Sequence, residues 1–87
     1  MELPQLIKIL DNSNLKRQVK SSNTGYGDII TYSGSTVSVD IDSEVYDTVT
    51  QICLMMKNEV CYLYLQKNNL RFYNKVALSS ITSLSIQ

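Results

Sequence analysis

Three groups of side chains in this 87-residue chain are of types that could do chemistry. They are the carboxylates of Asp40, Asp42, Glu44 and Asp47, the thiols of Cys53 and Cys61, and a set of rings and cations, Tyr62, Tyr64, Arg71, Tyr73 and Lys75. The run Asp40-Ile41-Asp42-Ser43-Glu44 is the most metal-like, but it lacks the glycine and the distal Glu of a calcium loop. Ser43 as a helix N-cap, with Glu44 in the first turn, accounts for the same residues. Histidine is absent, which removes the commonest general base and metal ligand. Both cysteines fall on predicted core faces and lack a cationic neighbour that would activate them, and the serines lack a base partner. Gly25-Tyr26-Gly27 is a lone G-x-G without the rest of a phosphate loop. No catalytic residue, cofactor or metal is expected.

The rings and cations belong to the stretch Val60 to Val76. Residues 60 to 66, Val-Cys-Tyr-Leu-Tyr-Leu-Gln, are of the types that suit a half-buried strand. With Asn68-Asn69 as a two-residue turn, Leu65 opposes Phe72, Leu63 opposes Asn74 and Cys61 opposes Val76 on a core face. Side chains alternate, so Tyr62, Tyr64, Gln66, Arg71, Tyr73 and Lys75 share the reverse face, with Tyr64 opposite Tyr73 and Tyr62 opposite Lys75. Rings interleaved with cations suit a single-stranded nucleic acid, the rings stacking on bases and the cations meeting phosphates. The same tyrosines also suit plain cross-strand packing or a protein contact.

The elements that must position these groups follow in chain order. Leu3, Leu6, Ile7 and Leu10 recur at helical spacing behind Pro4, which predicts a short amphipathic helix over 4–11 that must dock to persist. Leu15 to Lys20 reads as an edge strand guarded by its cations, and 21–27 as a polar loop. Residues 28–41 read as a hairpin about Ser33-Gly34-Ser35, with Ile30, Tyr32, Val37, Val39 and Ile41 inward. From Glu44 to Asn58 the residues Val45, Val49, Ile52, Cys53 and Met56 share one helical face, which predicts a central amphipathic helix despite its β-branched content. Leu54 and Met55 fall off that stripe and would offer a partner a contact on the helix back. After the 60–76 hairpin, a bend at Ser79-Ser80 leads to a last strand over 82–86.

The fold class expected is therefore α+β in a single domain: a small antiparallel sheet of two hairpins and a terminal strand, packed by the N-terminal helix and the central helix. That element order is similar to the roadblock and longin class of small α/β sandwiches, a resemblance that implies a dimeric scaffold.

Eight cations balance eight acids, so overall charge gives no argument for nucleic acid or membrane. The distribution is uneven: Asp28, Asp40, Asp42, Glu44 and Asp47 occupy 28–47 with no cation among them. Two cysteines make no disulfide framework and no apolar run is long enough to span a membrane, so a cytoplasmic setting is expected. The leading functional expectation is a non-enzymatic protein-binding module, homodimeric because a domain of this size gains stability by self-association, with Asp40, Asp42, Glu44, Asp47, Leu54 and Met55 as its contact residues. Such neutral, Asn- and Ser-rich small domains are common among phage and mobile-element inhibitors of host factors, and the acidic run could imitate nucleic-acid phosphates toward a nucleic-acid-handling partner. The alternative is a single-stranded nucleic-acid binder using Tyr62, Tyr64, Arg71, Tyr73 and Lys75.

Overall fold

The computed structural model describes residues 1–21, 28–67 and 73–87. Helix α1 spans Leu3–Asp11 with Pro4 in its first turn, where a missing N–H costs nothing. Its start is closed by the Glu2 N–H, which donates to Gln5 Oε1 at 3.1 Å. Its end is closed by Ser13, whose hydroxyl donates to the Leu10 carbonyl at 2.5 Å and accepts from the Leu15 N–H at 3.2 Å. Leu6 and Leu10, one turn apart, are fully buried, so the expected apolar stripe is the docking face.

Five strands follow in an antiparallel meander: β1 (Lys16–Ser21), β2 (Asp28–Ile41), β3 (Glu44–Lys57), β4 (Val60–Lys67) and β5 (Tyr73–Ala77). A 3₁₀ turn over Leu78–Ser80 falls at the expected bend, and β6 (Leu84–Ile86) returns to pair with the far end of β2. β2 thus shares one edge between two partners. Its residues 28–33 pair with β1 and its residues 39–41 pair with β6. The broad α+β expectation of a small antiparallel sheet under an N-terminal helix is met, and β1 is an edge strand as read.

Two expectations are corrected. The segment expected as the central helix, 44–58, is strand β3, the middle of the sheet. It joins its neighbours through two-residue turns, Asp42-Ser43 and Asn58-Glu59, in which both residues have positive φ, 51° and 73° in the first and 51° and 66° in the second. This is the twist-matched geometry of tight hairpins. Ser43 is therefore a turn residue and not a helix cap, and the likeness to the roadblock and longin element order falls with the helix. The helical spacing arose because β3 is irregular. Its pairing slips by one residue against β2 between Tyr46 and Val49, where Thr48 has φ 55°, and again against β4 between Val49 and Gln51. Each extra residue reverses the side-chain alternation, so inward positions fall at Tyr46, Val49, Ile52 and Leu54, a spacing that imitates a helix.

The second correction concerns Ser33-Gly34-Ser35, which is not a hairpin turn. β2 runs through it, with Gly34 at φ 115° and two more residues on β2 than on β3 between Ser33 and Val37. The bulge bends the strand. Before it, Tyr32 faces inward; after it, Val37, Val39 and Ile41 do.

The core lies between α1 and one face of the sheet. It gathers Leu6, Leu10, Leu15, Tyr32, Val39, Val49, Ile52, Leu54, Leu63, Leu65 and Ile81. Leu63 and Leu65 are fully buried as expected, with Cys61 and Val76 packed against the cluster. The β4–β5 register differs from the expected one by two residues: Tyr64 pairs with Lys75, Leu65 with Asn74 and Leu63 with Val76. An even displacement keeps every side chain on its face.

Candidate binding face of the sheet

The sheet face opposite α1 is built in rows that cross the strands. One row runs Gln18, Thr31, Cys53, Tyr64, Lys75, and the rows on either side run Ser33, Gln51, Gln66 and Met55, Tyr62, Ala77. Tyr62 and Tyr64 are half-buried, with ring centroids 6.4 Å apart and planes tilted by 56°. Lys75 places its ammonium 4.2 Å from the Tyr62 ring centroid, a cation–π contact. Cys53 sits low between taller neighbours, its Sγ 3.6 Å from Thr31 Oγ1 and accepting from Gln51 Nε2 at 3.3 Å. A small side chain in the middle of the face leaves Tyr64 standing above it. Lys16 pairs with Ser33 at one margin and Lys57 with Val60 at another, so both belong to this face. The carboxylates of Asp40, between the inward Val39 and Ile41, and of Asp47, which accepts from Ser38, lie on the same face at its β2–β3 hairpin end.

Tyr62, Tyr64 and Lys75 are therefore brought together, as the strand alternation predicts. Arg71 and the Asn68-Asn69 turn lie outside the described residues, as does Gly25-Tyr26-Gly27, and Tyr73 is placed only by its backbone pairing with Gln66. Cys53 is a free, buried thiol as expected, but on the tyrosine side of the sheet and not in the cluster under α1, because β3 is a strand.

The expected protein-contact set is dispersed. Leu54 is 3% exposed in the core, so it has no surface to offer a partner. Met55 is half-buried on the open face, two rows from Gln51. Asp40, Asp42, Glu44 and Asp47 cluster at the β2–β3 hairpin end, but three of the four carboxylates or their neighbours serve the fold. Asp40 Oδ1 accepts from the Ser43 N–H at 2.9 Å, closing the turn. Asp42 accepts from the N–H groups of Thr82 at 3.1 Å and Ser83 at 2.8 Å. Those backbone donors, Ser83 first and Thr82 second, hold the Asp42 carboxyl below the ordinary range. Asp47 accepts from the Ser38 hydroxyl at 3.1 Å. No three His, Cys, Asp or Glu residues gather as a metal-ligand set among the described residues.

Two concavities adjoin these surfaces. The larger, about 480 Å³, lies at the helix start between Met1, Leu3, Met56, Val60, Cys61 and Leu78, away from the tyrosines. Burial pushes the Cys61 thiol up from its ordinary value, so it stays a protonated, weak nucleophile at neutral pH. The smaller, about 370 Å³, is a polar niche at the bend of β2 that opens beside Gln51 on the tyrosine face. Sequence reading missed it, since it took Ser33-Gly34-Ser35 as a turn. No helix among the described residues is long and apolar enough to cross a membrane. Comparison of the chain with protein-family models, curated proteins and solved structures finds no match.

Proposed function

We propose that the protein is a non-enzymatic binding module that engages single-stranded nucleic acid through the sheet face opposite α1. The observation that supports this reading is the conjunction of Tyr62, Tyr64 and Lys75 with Lys16 and Lys57 on one face, whose carboxylates Asp40 and Asp47 are gathered at its β2–β3 hairpin end. Rings there take bases by stacking, which tolerates any base, and the lysines meet phosphates at the margins. Zero net charge is compatible with this reading because Asp40, Asp42, Glu44 and Asp47, half of the eight acids, lie together at the β2–β3 end of the sheet.

The test is fluorescence anisotropy of labelled single-stranded RNA and DNA at low and moderate salt. Alanine at Tyr62 or Tyr64 should weaken binding by about 1–3 kcal/mol each. Affinity should fall with rising salt as phosphate contacts release counterions. Unchanged affinity in both tyrosine variants would sink the stacking reading.

A second reading is a protein-binding module, self-associating or acting as an inhibitor of a nucleic-acid-handling protein. It is favoured by the β2–β3 hairpin end, where Val45 is 57% exposed beside the exposed carboxylates of Glu44 and Asp47. No nucleic-acid binding together with a dimeric mass by light scattering would move the assignment to it.

A further inference from the structure

We infer that the polar niche at the bend of β2 is a base-reading subsite of the tyrosine face, so that the strand is bound selectively for the base placed there. This rests on the nucleic-acid reading above and adds to it a specificity that stacking alone does not supply.

The niche is lined by Ser33, Gly34, Ser35, Thr36, Thr50 and Gln51. It exists because β2 carries two more residues than β3 between Ser33 and Val37, which parts the ladder there. Gly34 at φ 115° makes the bend, and a Cβ built on it would meet nothing within 4 Å, so the space above the backbone is open. The lining offers hydroxyls that both donate and accept and a carboxamide that does both, with no charge. That chemistry matches the Watson–Crick edge of a base, which presents donors and acceptors side by side, better than it matches a phosphate, which presents acceptors and negative charge alone. The lining groups already have weak internal partners that a ligand can displace: Gln51 Nε2 donates to Cys53 Sγ at 3.3 Å and the Ser35 hydroxyl to the Asn14 carbonyl at 3.5 Å.

Placement supports the same assignment. Gln51 pairs with Gln66, so Tyr64 stands one strand over and one row along from the niche. Strand spacing and residue rise put that displacement at about 8 Å, one nucleotide along an extended strand. A base on Tyr64 would thus leave its neighbour over the niche, with Lys16, which pairs with Ser33, at the far rim for the next phosphate.

The experiment measures anisotropy of four homopolymer oligomers of about ten nucleotides, within the length such faces cover, against the wild type, Gln51→Ala, Thr36→Ala and Tyr64→Ala. The wild type should prefer one or two of the four. Gln51→Ala and Thr36→Ala should each lower affinity for the preferred oligomers about three- to tenfold, the worth of one lost hydrogen bond. Affinity for the others should be unchanged in these two variants, whereas Tyr64→Ala should weaken all four together. Equal affinity of the wild type for all four, or a preference that survives in both niche variants, would overturn the subsite and leave the stacking reading standing. Absence of binding to every oligomer by a wild type with a native circular dichroism spectrum would overturn both.

Discussion

Tyr32 shows how much of this fold passes through single side chains. Its ring is fully buried in the core, and its hydroxyl emerges to donate to Asp11 Oδ1 at 2.7 Å. Asp11 is the last residue of α1, where the helix dipole disfavours an acid, and it is also met by Arg17 Nη1 at 3.4 Å. One tyrosine therefore ties the helix end to β2 and, through Asp11, to β1. Burial first, and then the Asp11 carboxylate, push the Tyr32 phenol up to about 12, with Arg17 opposing. Because the folded value lies above the ordinary one near 10, the phenol's contribution is fully present below about pH 10 and is lost as pH rises toward 12. Tyr32→Phe should cost about 1 kcal/mol at neutral pH. It should also flatten the alkaline decline in chemical-denaturation midpoints between pH 10 and 12, and an unaltered decline would assign it to other groups.

At the scale of elements, the tight turns carry the meander. Glu59 sits at φ 66°, a conformation that costs a side-chain-bearing residue about 1 kcal/mol or more. Glu59→Gly should accordingly raise stability by about 1 kcal/mol, read from the urea midpoint. This turn also shows what was legible. Asn58 is a residue that accepts positive φ, and Val45, Thr48, Val49, Thr50 and Ile52 are β-branched, so both signals of a strand and hairpin were present in 44–60. They were outweighed by apolar spacing that two slips in pairing had shifted from period two toward a helical one. Such slips depend on neighbouring strands and leave no local mark except the run of residues itself. By contrast α1 and the faces of β4 and β5 follow from uninterrupted periodicity, which survived even a two-residue error in register, while the edge strand β1 was marked by its cations and the bend at Ser79-Ser80 by a change of alternation between Leu78 and Ile81. The tyrosine face was legible for that reason, and the niche beside it was not, because it is made by a bulge.

Over the whole molecule, distant parts of the chain are fastened at a few points. Asp42 fixes Thr82 and Ser83, forty residues later, and Ser38 exchanges two backbone hydrogen bonds with Gln87, at 2.9 and 3.0 Å. The Met1 ammonium donates to the Ile81 carbonyl at 2.6 Å. The entry to β6 is thus held, beside its backbone ladder to β2, by the ionised form of one exposed carboxylate. Since the folded value of Asp42 lies below the ordinary one near 4, its contribution is present above that range and is lost as pH falls through the lowered value. In NMR titrations the amide protons of Thr82 and Ser83 should shift together, with a midpoint below that of an ordinary aspartate. Asp42→Asn should abolish that step and speed hydrogen exchange in β6 relative to β3. Amides of Thr82 and Ser83 that fail to titrate would show that the carboxylate does not hold them.

The bend in β2 acts as a clutch between two ladders. The half before Gly34 sets the register of β1 and the half after it sets the register of β6, and neither ladder passes through residues 34–36. A change in length or composition there is absorbed where no strand pair is in step, so either half keeps its inward faces while the intervening backbone takes a new shape. The niche proposed as a base-reading subsite is thereby the part of the surface that the chain can revise at least cost to its own architecture.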